Sequence, residues 1–340
     1  MLKLTCDNFI KARDYIFANA EDIDRAWFRY IFEDKDEDAF LDVLAKYQYD
    51  NGGFGGLYYE FDYQGACLKS TEIAVKYILS LEKKPSADHP IIRKAMEYLL
   101  DNYLPGIGNW CEVVVPAVND GVHCYWVRYR GEDVTPIEDE DERIRRYDAN
   151  EKVCFAAFIS YYSELVPQDV CRDILKYPTE HILRYWDENS PDYNRSIFDD
   201  GTPYNFEYFQ EFIPYLKDRS LADGLISILR QNPTAFMELD FEKSKKEYVH
   251  LPCDSVDSPD SIVYPVVKDL VDKSLEYRMR QQDDDGRWPL GWSFGSDAGL
   301  QELQVKYEAY RTLLMLVKLE RFGRIEKKYV ANKLVHIYQE

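Results

Sequence analysis

Hydrophobic and polar positions along the chain repeat as two helices joined by a glycine-containing turn. The apolar helical stretch at residues 40–49 leads into residues 50–56, which read Asp-Asn-Gly-Gly-Phe-Gly-Gly. A second stretch of helical period follows at residues 70–79. Asp, Asn and Gly tolerate the left-handed backbone that ends helices, so the turn marks a helix boundary. This segment predicts a unit of helix, turn and helix.

The same unit recurs along the chain, which indicates internal repetition. Near the other end, residues 266–280 have helical period, residues 281–288 read Gln-Gln-Asp-Asp-Asp-Gly-Arg-Trp, and a further helix opens at residues 306–314. Two weaker copies lie between, at residues 91–110 with 149–156 and at residues 169–186 with 199–209. Further helix pairs are predicted within residues 8–32 and 220–236.

The second helix of each unit is the more apolar one. Residues 153–162 contain hardly a polar side chain, which is typical of a helix buried on all sides, whereas amphipathic helices lie outside. Alternating outer and inner helices predict an all-α fold, an α/α-toroid of five to six helix pairs in a single domain, residues 1–340. An open solenoid of helix pairs is the alternative. The only β-like run is residues 113–115, and residues 131–146 and 251–260 are predicted loops.

Two of the repeats resemble known families. Residues 51–56 with Thr71-Glu72-Ile73-Ala74 are similar to the glycine-phenylalanine repeat of protein prenyltransferase β-subunits. Residues 282–288 are similar to the glutamine-tryptophan repeat of squalene and hopene cyclases. The resemblance covers most of the chain at the level of architecture. It implies the α/α-toroid of the terpenoid cyclase and prenyltransferase superfamily, with a functional cavity at the barrel mouth.

Composition narrows the class of partner. The 340 residues are 46% hydrophobic and 15% aromatic, enough for one large core, and the formal net charge is −20. Such an acidic surface argues against nucleic acid and anionic membranes as partners. Seven cysteines without a Cys-x-x-Cys pair, and no apolar run of membrane-spanning length, predict a cytoplasmic protein with free thiols. The sequence leaves cofactors and the oligomeric state open.

Glutamates fall at matching places in the four predicted inner helices. They are Glu72, Glu151, Glu207 and Glu308. If the inner helices run parallel, these carboxylates meet at one rim of a shared cavity, where they could bind a cation or perform acid chemistry. The alternative is that each glutamate caps its helix N-terminus. Lys69, Lys152 and Lys306 lie close by in sequence and could neutralise part of this charge.

The catalytic motifs of the two families are not reproduced. The prenyltransferase zinc pair Asp-x-Cys occurs only as Asp169-Val170-Cys171, on a predicted outer helix, and Arg143, Arg145 and Arg146 are the candidates for a diphosphate cluster. The cyclase Asp-x-Asp-Asp motif is absent, and residues 139–142 are interpreted as a solvated acidic loop. Cys111, His123 and Cys124 form a possible zinc set, with buried free cysteines as the alternative. No metal site is therefore predicted.

Aromatic residues complete the candidate site. Trp110, Trp126 and Tyr307, together with Lys69 and Lys306, are the predicted substrate contacts, and Phe54, Trp110 and Trp288 are predicted buried wedges between outer and inner helices. The favoured function is binding, with or without chemical transformation, of an isoprenoid-like or other apolar ligand. A chemical transformation would be of the cyclase or transferase type. A carbohydrate-active toroid that uses paired glutamates and a non-catalytic scaffold are the alternatives.

Overall fold

The computed structural model describes residues 1–111, 135–149, 152–193 and 202–326, and this part of the chain is predominantly helical. The α-helices are α1 Cys6–Asn19, α2 Asp22–Phe32, α3 Glu37–Leu44, α4 Leu68–Ser80, α5 Pro90–Asp101, α6 Glu140–Arg145, α7 Val153–Tyr161, α8 Gln168–His181, α9 Thr202–Phe212, α10 Arg219–Leu229, α11 Tyr264–Met279 and α12 Ala298–Arg321. Two short antiparallel strands, β1 Tyr103–Leu104 and β2 Asn109–Trp110, pair with Tyr103 opposite Trp110. The all-α prediction is confirmed at this level, and residues 113–115 lie outside the described residues.

Local capping chemistry sets where the helices begin. The Thr5 side chain accepts a hydrogen bond from the Asn8 N–H at the start of α1, and Asp218 does the same for Leu221 at α10. Asp297 caps α12 through the Gly299 N–H. These side chains satisfy amide groups that have no partner inside the helix. The cap at Asp297 starts α12 eight residues before the predicted boundary, because the polar stretch before residue 306 belongs to the helix.

The first glycine turn is anchored to three different segments. The Gln48 side-chain amide donates to the carbonyl oxygens of Gly52 and Ile91, each at 3.0 Å. The Phe54 N–H donates to Thr71 Oγ1 on α4 at 3.0 Å. Ile91 lies in α5, so the turn of the first unit packs on α5, the helix that follows α4 in the chain.

The last glycine turn repeats this arrangement. The Gln282 side-chain amide donates to the carbonyl oxygens of Gly286, at 2.7 Å, and Asn8, at 3.0 Å. The Trp288 N–H donates to Thr312 Oγ1 on α12 at 3.1 Å. Asn8 lies in α1, so the turn near the end of the chain packs on the first helix as the earlier turn packs on α5.

We expect alanine at Gly286 to destabilise the protein by about 2–3 kcal/mol, because left-handed backbone is unfavourable for residues with a Cβ. Gly286 has φ +95°, and a Cβ there would overlap the backbone of Lys11 and Ala12. Gly224, inside α10, is the matched control, because a Cβ there meets nothing within 4 Å. Gly224→Ala should raise stability by about 0.5–1 kcal/mol. Urea unfolding of both variants measures this, and two changes of the same sign would contradict the expectation.

The three predicted aromatic wedges are buried, which confirms the burial that the sequence predicts for them. Phe54, Trp110 and Trp288 expose 0, 1 and 7% of their surface, and each follows a left-handed glycine by two residues. The indole N–H of Trp110 donates to the Leu99 carbonyl at 2.7 Å, and that of Trp288 to the Arg278 carbonyl at 2.8 Å. Each tryptophan thereby joins its turn to the helix before it.

Helix contacts lead from one end of the described chain back to the other. α1 and α2 both pack against α12, and Trp27 on α2 contacts Tyr77 on α4 with ring centroids 5.0 Å apart. α4 packs on α7, and α7 on α9. The loop before α11 then joins α9 to α12, because Ser255 O accepts from Gln210 and Cys253 O accepts from Lys318. A parallel bridge between Leu4 and Ile325 also brings the first and last described segments together.

Within the described residues, no helix combines the length and apolar character needed to cross a membrane.

Candidate functional site

The helices α4, α7, α9 and α12 surround a cavity of about 2170 Å³. Residues 58–60, the loop before α11, the end of α11 and residues 281–292 also line it. Charged side chains, tyrosines and tryptophans dominate this lining. A cavity of this size holds a ligand larger than a single drug-sized molecule.

The structure brings some of the predicted site residues to this cavity. Glu72, Glu207, Lys69 and Tyr307 line it, as does Lys152, which forms an ion pair with Asp148. Glu151 and Trp126 lie outside the described residues.

The other predicted site residues lie elsewhere. Glu308 is buried in an ion pair, with its Oε2 3.0 Å from Arg287 Nη1, and it is not among the residues that line the cavity. Lys306 pairs with Glu21 at 3.0 Å and with Glu302 at 3.2 Å. Trp110 is part of the hydrophobic core. The predicted rim of four glutamates is therefore represented at the cavity by Glu72 and Glu207.

Glu308 is separated from Glu72 because the two helices align differently from the sequence-based expectation. Thr71 and Thr312 accept the equivalent turn hydrogen bonds, from the N–H groups of Phe54 and Trp288. With Thr71 matched to Thr312, Glu72 corresponds to Leu313. Glu308 lies about one helical turn nearer the N-terminus of its helix and contacts a different part of the protein.

The carboxylates do not act as helix caps in the described structure. Glu72 pairs with Lys76 and Glu207 with His250, while Glu308 accepts from Arg287 and from Gln304 Nε2 at 3.1 Å. All of these partners are side chains. Helix capping is therefore not the role of these three glutamates.

Lys76 joins two helices at the cavity wall. Its Nζ lies 2.9 Å from Glu72 Oε1 on α4 and 3.4 Å from Glu211 Oε2 on α9. The two carboxylate oxygens are therefore no more than 6.3 Å apart, the sum of those distances. The ammonium also lies 4.1 Å from the ring centroid of Tyr208, a cation–π distance. One lysine thus holds two carboxylates beside an aromatic ring.

For both Glu211 and Lys76, burial and the neighbouring opposite charge shift the pKa in opposite directions. Burial raises the pKa of Glu211 to about 7, with Lys76 opposing the shift and Asp257 adding to it. Burial alone would lower the pKa of Lys76, but the negative charges of Glu211 and Glu72 raise it well above its ordinary value. Near neutral pH the site therefore combines a permanent ammonium with a carboxyl group that can both hold and release a proton.

A second carboxylate on α9 faces a histidine. His250 Nδ1 lies 2.6 Å from Glu207 Oε1. Burial raises the pKa of Glu207, although the hydrogen bond from His250 opposes that shift. The ring of Tyr204 meets the imidazole edge to face at 4.5 Å, and Tyr248 lies 5.4 Å from it. Glu207 and His250 form a polar pair enclosed by aromatic rings.

The cavity also has a basic side, formed by α11, α12 and the loop before α11. Arg278 Nη2 lies 2.6 Å from Asp254 Oδ2, and Lys318 Nζ lies 2.9 Å from Asp257 Oδ1. Burial would raise the pKa of Asp254, but Arg278 and Lys318 hold it low, at about 2. Arg311 lines the same side. Acidic groups on α4 and α9 thus stand in one cavity with basic groups on α11 and α12.

Sequence reasoning missed Lys76, Glu211, His250 and Arg311. For three of them a usable signal is present, since Lys76 follows Glu72, Glu211 follows Glu207 and Arg311 follows Tyr307, each by four residues. Residues four apart share a helix face, so a cavity-facing residue predicts a second cavity-facing residue at that spacing. No comparable signal marks His250, which lies in a loop.

The remaining motif candidates lie away from the cavity lining. Asp169 is exposed and Cys171 half-buried on α8, while Arg145 and Arg146 form ion pairs with Glu142. Arg143 lies over the ring of Tyr177. Cys111 is buried, whereas His123 and Cys124 lie outside the described residues. Among the residues that the structure describes, no group of three His, Cys, Asp or Glu side chains could hold a metal ion.

Comparison with known proteins finds no matching family model, no matching curated protein and no matching solved structure.

Proposed function

We propose that the helices close into an α/α-toroid of the kind implied by the prenyltransferase and cyclase repeats. The repeated hydrogen bonds of the two glycine turns support this architecture. The first turn packs on the following outer helix through Ile91, and the last packs on α1 through Asn8. An open solenoid leaves its final unit without a following neighbour, whereas here the first helix fills that place.

Inside this toroid, we propose an acid–base enzyme of the carbohydrate-active type. The observation that carries the proposal is the pair of carboxylates, Glu72 and Glu211, that share Lys76 in the wall of an aromatic cavity. Glycoside cleavage by most such enzymes needs one carboxyl group as proton donor and a second carboxylate nearby. The rings of Tyr248 and Trp292, with centroids 5.0 Å apart, offer flat apolar surfaces to sugar rings.

The polar lining gives less support to an isoprenoid-like ligand. Charged side chains line the cavity from α4, α9, α11 and α12. An apolar chain would remove water from these charged groups without replacing their hydrogen bonds, which is costly. A hydroxylated ligand supplies such hydrogen bonds. The volume of about 2170 Å³ also supports a ligand-binding function over a scaffold whose cavity is filled by side chains.

The geometry assigns a role to each carboxyl group. Glu211, with its raised pKa, would protonate the glycosidic oxygen of the leaving sugar. Glu72 would attack the anomeric carbon to form a glycosyl ester, which water then hydrolyses with Glu211 as base. The oxygens lie at most 6.3 Å apart, closer than the roughly 6.5–9.5 Å that an inverting enzyme needs for an intervening water. We therefore propose a retaining reaction.

Glu211→Gln should lower kcat for unactivated oligosaccharides by at least about 100-fold, the usual contribution of a general acid. The kcat/KM for aryl glycosides with a 2,4-dinitrophenyl leaving group should be affected less, because formation of the glycosyl ester from that leaving group needs no proton. Glu72→Gln should abolish turnover of both substrate types. For the wild type, the rate should fall as pH rises through about 7, where Glu211 loses its proton. Reducing-sugar release and phenolate absorbance measure these rates.

Glu247→Gln is the control for the Glu-to-Gln change. Glu247 also lines the cavity, but it is exposed and is not one of the two carboxylates that share Lys76. It should retain wild-type rates. Failure of the wild type to cleave any member of a panel of neutral and acidic oligosaccharides, or equal rates for the Glu211 and Glu247 variants, would refute the proposed activity.

A further inference from the structure

The basic side of the cavity contains more positive than negative charge. Asp254 is engaged by Arg278 at 2.6 Å, and its Oδ2 also accepts from the Leu251 N–H at 3.0 Å. Asp257 is engaged by Lys318 at 2.9 Å. Asp254 and Asp257 are thus each held by a basic partner, which leaves a further cation of α12 outside both ion pairs.

Arg311 is that further cation. It lines the cavity from α12, and among the described residues its guanidinium has no carboxylate within ion-pair distance. Tyr307, one helical turn away on α12, lines the same cavity and interacts electrostatically with this guanidinium. Burial would lower its pKa, but Tyr307, Tyr248 and Asp254 raise it, so the side chain stays charged. Arg311 is half-buried in the cavity wall, so a guanidinium without a carboxylate partner can bind an anionic group that enters the cavity.

The position of Arg311 relates it to the candidate reaction centre. It shares the cavity with Glu72 and Glu211, which lie on α4 and α9. Tyr248, whose pKa the positive charge of Arg311 lowers against the effect of burial, also contacts Trp292 and the imidazole of His250. A ligand that stacks on Tyr248 would therefore present its substituents to Arg311.

We propose that Arg311 binds an anionic substituent of the substrate, which makes the substrate an acidic sugar rather than a neutral one. A planar guanidinium binds carboxylate or phosphate oxygens through two parallel hydrogen bonds. Tyr307 supplies a further hydroxyl beside it. Both a uronate carboxylate and a sugar phosphate ester have this chemistry. The inference rests on the proposed function, because it names the substrate class of the same cavity.

Direct binding to the full-length protein tests the inference separately from catalysis. Isothermal titration should show galacturonate and galactose 6-phosphate binding at least 10-fold more tightly than galactose, the effect of about one charge-assisted hydrogen bond. Arg311→Gln should remove this preference, and Arg311→Lys should retain part of it. The tighter of the two acidic ligands identifies the anion. Acid-dependent binding without cleavage of any oligosaccharide would support this subsite while refuting the glycosidase proposal.

Lys245→Gln is the control for loss of a cavity cation, because Lys245 lines the cavity while its charge is paired with Glu242 at 2.7 Å. It should keep the acidic preference. Circular dichroism shows whether Arg311→Gln folds. If it does not, the inference is decided by the wild type alone, from its affinity for the acidic sugars relative to its affinity for galactose. Equal affinity of the wild type for galacturonate, galactose 6-phosphate and galactose, or no binding of either acidic sugar, would overturn the inference. Acidic preference retained by Arg311→Gln, or inorganic phosphate bound as tightly as the acidic sugars, would also overturn it.

Discussion

Replacing Trp288 by alanine is expected to lower the free energy of unfolding by about 3–5 kcal/mol, the usual cost of truncating a buried tryptophan. The side chain exposes 7% of its surface and belongs to the main hydrophobic cluster. Its removal leaves a cavity between the glycine turn and α12, and the Arg278 carbonyl loses the indole donor at 2.8 Å. Urea unfolding should show a lower midpoint with an unchanged slope.

Two further variants make this measurement specific. Trp288→Phe should recover much of the stability, because Phe54 occupies the equivalent place in the first glycine turn and makes the same backbone bond to a threonine. Trp292→Ala, at a half-buried residue of the cavity wall, should cost less than Trp288→Ala. A loss below about 1 kcal/mol for Trp288→Ala would contradict its role as a core wedge.

The glycine turns could be predicted because their signal is local. An Asx-Gly sequence followed by an aromatic residue specifies both the left-handed backbone and the side chain that must be buried beside it. Gly52 with Phe54 and Gly286 with Trp288 therefore stood out without any knowledge of the fold. The hydrogen bonds from Gln48 to α5 and from Gln282 to α1 were not foreseeable in the same way, since their partners are distant in sequence.

The relative positions of side chains along α4 and α12 were harder to predict. Helical periodicity defines which face is apolar, but it leaves the start of a long helix ambiguous when the first turns carry mixed residues. The segment before Lys306 contains polar residues and was interpreted as loop, whereas Asp297 begins the helix there. Glu308 was consequently matched to Glu72, although Leu313 is the structural equivalent.

The charge pairs of the cavity depend on contacts between helices, which the sequence does not encode locally. Lys76 is close to Glu72 in sequence, but its second partner, Glu211, comes from a different repeat. Arg311 follows the predicted substrate contact Tyr307 by four residues, but that spacing does not show which groups oppose it across the cavity. Its importance follows from the two ion pairs that use Asp254 and Asp257.

Asp24 should make the protein's stability depend on pH by about 4 kcal/mol between pH 4 and 8, because one unit of pKa shift corresponds to about 1.4 kcal/mol. This carboxyl group on α2 is fully buried and accepts hydrogen bonds from Tyr59 and, at 3.1 Å, from Tyr77. Burial raises its pKa from 3.8 to about 7, against these hydrogen bonds. The folded state therefore binds the proton more tightly than the unfolded state.

The direction in which stability changes with pH follows from that difference in proton affinity. The stabilisation from protonated Asp24 is fully present below about pH 3.8, the unfolded value, and is lost as pH rises through about 7. Asp24→Asn has the same shape but no titrating proton. The free energy of unfolding of the wild type, minus that of this variant, should therefore fall with increasing pH. Urea unfolding at a series of pH values measures this difference.

Asp22→Asn on the same helix gives a control of opposite sign. A hydrogen bond from Arg25 lowers the pKa of Asp22, so the stabilisation from its charged form is lost as pH falls. The wild-type minus variant difference for Asp22 should therefore rise with pH, and by a small amount, because the pair is exposed. A flat difference for Asp24 between pH 4 and 8 would mean that Tyr59 and Tyr77 stabilise its carboxylate enough to cancel the cost of burial.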